Sequence, residues 1–277
     1  MSIRVTFDRS IFNGDNFRRL LSSPLLARCK SGKYSIYHST VLIEETLNLL
    51  YTAKKDELRE QIQFLVDVGN GRWFKDPWEI WAGELAGKSK KDYLFMSRNE
   101  QAKLIRLLSD NETLNDTAGQ VLEEKQAIKD KKQKIKELLV EMRKAASARF
   151  PRAKMPSLNF QDYSETFIED VGTEIIRKKI ETNQGVEALL EKWKTNKSRY
   201  PYFTLYMRAI TYVMYYAEVE QNASIDWNTL TDIYLLGVVK DLDLVVSNDQ
   251  KFMRSAFHAL YPSCKEYICL DEFLSRI

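Results

Sequence analysis

The sequence predicts an α/β fold with a mainly parallel central sheet covered by helices on both faces, the alternation being interrupted by a long all-helical stretch. Three observations carry this prediction. Short apolar, β-branched segments alternate with helical patterns at both ends of the chain, and such alternation implies crossovers that return each strand in the same direction. Residues 54–221 show helical periodicity with heavy charge and no strand signal. A hydrophobic content of 44% with 12% aromatics, against ten Gly and six Pro, describes an ordered chain with little linker.

Taken in order, Ile3-Arg4-Val5-Thr6-Phe7 alternates and reads as a strand that ends in Asp8. Residues 17–29 carry Phe17, Leu20, Leu21, Leu25 and Leu26 at helical spacing, broken at Pro24. Tyr34-Ser35-Ile36-Tyr37 is a second strand, and Ser39 caps a helix over 40–53 with Val41, Leu42, Leu47, Leu49 and Leu50 as its apolar content. Asp76-Pro77 opens a helix with Pro at its first position, and Trp73, Trp78 and Trp81 crowd around that start. Core packing is the expected role of these rings; stacking on unpaired bases is the sharper one.

Val121, Ile128, Ile135 and Met142 recur every seven residues, a seam like that of a helical hairpin or short coiled coil, although Glu124 and Lys131 interrupt its second stripe. The basic run at 125–134, flanked by Glu123, Glu124 and Glu137, reads as a solvated face that could also meet phosphates. A loop is expected at 150–156 and helices at 167–180 and 206–219, the last apolar nearly all round and therefore buried. From Asp226, the expected cap of a helix carrying Asp232, the alternation returns: a strand over 244–246, a helix over 252–260, the strand Tyr267-Ile268-Cys269-Leu270 and a short helix capped by Asp271. The expected organisation is one α/β domain made from residues 1–53 and 222–277, with 54–221 as a helical insertion or subdomain.

Composition narrows the chemistry. A formal net charge of +3 does not by itself mark a nucleic-acid binder. Three cysteines without CxxC spacing, no N-terminal apolar leader and no apolar run long enough for a bilayer describe a cytoplasmic protein with reduced thiols and no membrane partner. His38 and His258 are too few for a His-rich zinc site and read as packing or surface groups. Any metal chemistry therefore falls to carboxylates.

Four acids stand at strand exits or on adjoining helices: Asp8, Glu45, Asp232 and Asp249. In open parallel sheets ligands bind beyond the carboxyl ends of the strands, which is where Asp8 and Asp249 fall. Carboxylates gathered there repel one another unless a cation offsets them. Mg²⁺ or Mn²⁺, with oxygen ligands and retained waters, fits that need and supports phosphodiester hydrolysis. Each acid also has a plain reading: Asp8 as a turn acid capping the next segment, Glu45 as a solvated helix residue, Asp232 as a surface residue and Asp249 as a helix cap. Arg9, Arg18 and Arg19 lie near the Asp8 end of the sheet, where a cation could hold a substrate phosphate.

In these segments the chain resembles the PIN and PIN-like domain ribonucleases. The resemblance rests on Val5-Thr6-Phe7-Asp8, on the run from Ile36 through Glu44-Glu45, on helical Asp232, on Val245-Val246-Ser247-Asn248-Asp249 and on the closing strand and helix at 267–274. It covers roughly the first 52 and last 55 residues. It implies a three-layer α/β/α core in which Asp8, Glu45, Asp232 and Asp249 bind the metal, with Ser247 as a small hydroxyl near the site. Glu44 adjoins Glu45, and the register from Ser39 favours Glu45. The implied activity is that of a divalent-metal-dependent endoribonuclease acting on RNA. The long helical stretch, which compact family members lack, would select the substrate or hold a protein partner. The second reading is a non-catalytic PIN-like scaffold that mediates RNA binding or protein association.

Overall fold

A computed structural model describes residues 2–47, 49, 55–69, 72–110, 159–179, 185–219, 227–262 and 265–277, with isolated positions between 137 and 148. At its centre lies a parallel sheet of β1 (Ile3–Phe7), β2 (Tyr34–Ile36), β3 (Leu244–Val246) and β4 (Glu266–Ile268), in the order β2-β1-β3-β4. Val5 pairs with Ile36 on one side and Leu244 on the other, and Val246 pairs with Ile268. The two ends of the chain thus interleave in one sheet.

Helices make up most of the remainder. In chain order they are α1 (Gly14–Leu21), α2 (Leu25–Lys30), α3 (Thr40–Leu47), α4 (Lys55–Val68), α5 (Pro77–Leu85), α6 (Lys90–Leu94) and α7 (Arg98–Ser109). There follow α8 (Phe160–Lys179), α9 (Val186–Thr195), α10 (Pro201–Val219), α11 (Trp227–Val238), α12 (Phe252–Leu260) and α13 (Leu270–Arg276). Among the described residues, no helix is long and apolar enough to cross a membrane.

Several local expectations change. The helical pattern over 17–29 is two helices, because Pro24 cannot continue the first. Ser39 does cap α3, its hydroxyl accepting from Leu42 N–H at 3.2 Å, and α3 covers Thr40–Leu47, while residues 48 and 50–53 of the expected helix lie outside the described residues. Asp76 caps α5 through Trp78 N–H at 2.8 Å, as its Asp-Pro start predicts. α8 and α10 begin earlier than the periodicity indicated, at Phe160 and Pro201. The C-terminal helix starts from Cys269, and Asp271 lies in its first turn. The stretch read as strand-free carries isolated bridges, His38 with Trp73 and Phe74 with Phe95. The seam at 121–142, the basic run at 125–134, the loop at 150–156 and the Asp226 cap lie outside the described residues.

Both faces of the sheet are covered, because alternate residues of each strand point to opposite sides. On one side Val5, Phe7, Ile36, Leu244, Val246 and Ile268 pack against Phe17 and Leu20 of α1, Leu25 of α2, Phe64 and Leu65 of α4, and Phe273 of α13. Phe7 meets Phe273 edge to face, ring centres 5.4 Å apart. On the other side Val245 and Tyr267 join a larger cluster with α5, α8, α10, α11 and α12.

The expected burial of α10 holds: Tyr202, Phe203, Met207 and Ala209 are all buried. Its N-terminus needs donors satisfied away from water, and Glu84 of α5 supplies the acceptors. The Glu84 carboxylate takes Tyr202 N–H at 3.1 Å and Phe203 N–H at 2.7 Å, and Tyr93 donates its hydroxyl at 3.5 Å. Burial outweighs these bonds and pushes the Glu84 carboxyl up to about 7.

Candidate functional site

The strand order places β2 and β3 on opposite sides of β1, so the connections leave the sheet in opposite directions and a crevice opens beyond the carboxyl ends of β1 and β3. Phe7 pairs with Val246, so the next residues, Asp8 and Ser247, are neighbours at that crevice. Backbone bonds continue the pairing, with Asp8 N–H donating to Val246 C=O at 3.0 Å.

Asp8 is 9% exposed and firmly held. Its Oδ2 accepts from Ser10 N–H at 3.2 Å, Ser10 Oγ at 2.5 Å and Ser247 Oγ at 2.8 Å. All three bonds end on Oδ2. Ser247, fully buried, also accepts Asp249 N–H at 3.0 Å, and Ser10 Oγ accepts Asn248 N–H at 3.0 Å. Two serine hydroxyls thereby tie the loop after β1 to the loop after β3.

Asp8, Arg9 and Ser39 line a recess together with Glu45 of α3 and Thr231 and Asp232 of α11, enclosing about 210 Å³ that includes the solvent at its mouth. Thr231 hydrogen-bonds Glu45. Burial first, and the charge of Asp8 second, push the Glu45 carboxyl up to about 7, against the opposing pull of Thr231 and Arg9. Tyr267 on β4 feels the same field. Its phenol is raised by burial and by the negative charges of Asp8, Asp249 and Asp232.

Asp249 is not part of the wall of this recess and is tied to Asp8 through Ser247. Its Oδ1 accepts Lys251 N–H at 2.8 Å, while the Tyr267 hydroxyl donates to its carbonyl oxygen. Among the described residues, no three His, Cys, Asp or Glu side chains stand together as ligands for one metal ion.

The plain readings are met in part. Asp8 caps the short 3-10 helix Arg9–Phe12, and Asp249 makes a local turn bond ahead of α12, whose N-cap is Lys251. Glu45 and Asp232 are half-buried rather than solvated, whereas Glu44 is exposed. Arg18 pairs with Asp15 at 3.8 Å and Arg19 with Asp271 at 2.5 Å, both away from the recess. His38 is a buried packing group, bonded to Leu65 C=O at 2.8 Å and set edge to face on Trp73; burial pushes its imidazole down to about 4. Trp73 and Trp81 belong to the core.

Ser10, Thr231, Gln61 and Tyr267 also shape the site and were not singled out from the sequence. Ser10 had a local signal, since Asp-x-Ser closes a side-chain turn at this spacing. Thr231 adjoins an acid already in view. Gln61 and Tyr267 arrive through tertiary packing alone. No protein-family model, curated protein or solved structure matched the chain.

Proposed function

We propose that the chain is a divalent-metal-dependent endoribonuclease with a PIN-like α/β/α core formed by residues 1–53 and 222–277, into which the helical residues 54–221 are inserted. One observation carries the reading. Asp8, Glu45 and Asp232 share a recess beyond the carboxyl edge of a parallel sheet, at its switch point, and Asp249 is linked to Asp8 through Ser247.

The donor set fits Mg²⁺ or Mn²⁺. These are hard ions that bind through one or two carboxylates and keep several waters, so they do not require an all-protein cage. The Glu45 carboxyl is raised because it lies buried beside Asp8, which is where a divalent cation would lower the energy of both. Asp8 and Asp249 would be the primary ligands, with Glu45 and Asp232 completing the pocket directly or through water. When bound, the ion would neutralise charge on the scissile phosphate and lower the pKa of the attacking water.

The chain's own groups keep the acids in place. Ser10 and Ser247 fix the Asp8 carboxylate through Oδ2, which leaves Oδ1 outside those three bonds. Thr231 holds Glu45. Ser247 and Tyr267 hold the backbone of Asp249 from its N–H and its carbonyl. A phosphodiester would lie across the mouth of the recess, and the helical insertion would select the RNA or hold a protein partner.

The test is cleavage of total RNA by the purified protein with Mn²⁺, with and without chelator, by the wild type, Asp8→Asn and Asp249→Asn. Both variants should lose metal-dependent cleavage and remain folded; full activity in both would overturn the mechanism. The engagement of Asp249 Oδ1 with Lys251 N–H favours the second reading of a non-catalytic scaffold. That reading expects no cleavage by the wild type and no Mn²⁺ uptake.

A further inference from the structure

We infer that Arg9 grips a backbone phosphate of the RNA strand at the mouth of the recess, and that Gln61 is the residue that positions it. This inference rests on the nuclease reading for the identity of the strand.

Arg9 follows Asp8 directly, is half-buried and lines the same recess. Its Nη1 donates to Gln61 Oε1 at 3.0 Å. Gln61 is 0% exposed, and its Nε2 donates to Phe12 C=O at 2.8 Å and to Glu57 Oε1 at 3.2 Å. With the amide nitrogen held by two acceptors, the amide oxygen has to face Arg9.

Among the described residues Arg9 forms no ion pair; Glu45, Glu57 and Asp8 attract it through space. A cation withdrawn from water is ordinarily met by a carboxylate. Here a neutral, buried amide orients it instead, and burial draws its pKa down. A guanidinium carries five N–H donors in a planar fork; Gln61 takes a bond from one nitrogen. The rest of the fork matches two oxygens of a phosphate in a way a lysine would not. Arg18 and Arg19 have no such placement, being paired with Asp15 and Asp271.

The test is equilibrium binding of a fluorescein-labelled single-stranded RNA oligonucleotide, read by anisotropy in Ca²⁺ over a salt series. Removing one phosphate contact should reduce the steepness of log K against log salt by ~0.7. Arg9→Met should show that change and lose affinity about 10- to 100-fold. Arg9→Lys should recover part of the loss, and Gln61→Leu should lose on the order of 3- to 10-fold with a smaller change of slope. Circular dichroism checks folding. If Arg9→Met does not fold, Arg9→Gln, which keeps a donor for Gln61, serves in its place.

An unchanged slope and affinity in the folded Arg9 variant, with wild-type protein that cuts RNA, overturns this inference alone. A wild type that binds RNA with the Arg9-dependent slope but never cuts it overturns the nuclease reading and leaves Arg9 as a phosphate-binding residue. A wild type that binds no RNA overturns both.

Discussion

Glu84→Gln probes how α5 is fastened to the buried start of α10. Glu84 is 5% exposed and accepts the first N–H groups of α10 from Tyr202 and Phe203. Two effects oppose one another: the N–H donors favour the carboxylate, and burial favours the neutral acid. Burial is the larger, so the carboxyl moves from 4.5 to about 7. At 1.36 kcal/mol per pKa unit, that displacement is worth ~3 kcal/mol. The folded protein then holds the Glu84 proton more tightly than the unfolded chain does. The associated stability is fully present below about pH 4.5 and is lost as pH rises through about 7. A glutamine cannot ionise, so subtracting the variant's stability from that of the wild type isolates this residue from every other titrating group. Urea unfolding across this range should show the wild type losing ~3 kcal/mol relative to Glu84→Gln between acid and mildly alkaline pH. A difference that stays flat would refute the raised pKa. A wild type that gains on the variant as pH rises would show that the N–H donors, not burial, control the charge.

Other perturbations follow from single contacts. A Cβ on Gly172 would sit 2.1 Å from Cη2 of the fully buried Trp193, so Gly172→Ala should cost ~1–3 kcal/mol and lower the melting temperature by several degrees in calorimetry; an unchanged Tm would contradict that packing. Ser247→Ala removes a donor to Asp8 and the acceptor of Asp249 N–H, and should cost ~2 kcal/mol in urea unfolding while lowering RNA cleavage about tenfold; wild-type behaviour in both would dissociate Ser247 from the site. Burial pushes the Cys29 thiol up to about 11, so iodoacetamide at neutral pH should leave Cys29 unmodified in the native protein and label it after denaturation, as read by peptide mass spectrometry; rapid native labelling would contradict its burial.

The sheet was readable because its strands are short, β-branched and set at the two ends of the chain, and because parallel pairing follows from the crossovers between them. The Phe7–Val246 pairing that brings Asp8 beside Ser247 follows once those strands are neighbours. What escaped were contacts with no local pattern. Glu84 reaches Tyr202 across 118 residues, and nothing near either residue announces the bond. The Trp73 and Phe74 bridges involve single residues and leave no period-two signature. Helix starts at Phe160 and Pro201 were missed although each carries a local signal: Asn159 Oδ1 accepts Asp162 N–H at 3.0 Å, and Pro201 stands at the first helical position. In the candidate site, acids at strand exits stood out because charged groups break apolar runs. The neutral groups that orient the acids, Ser10 and Thr231, and the one that orients Arg9, Gln61, are common residue types whose role depends on what folds against them.

The recess at the exit of β1, walled by α3 and α11, is the proposed seat of a divalent metal. Crystals soaked in Mn²⁺ and measured at the manganese absorption edge test it most directly. An anomalous peak is expected against Asp8, within reach of Asp249 and bordered by Glu45 and Asp232, and it should disappear in Asp8→Asn. Soaked wild-type crystals with no manganese at the recess would contradict it.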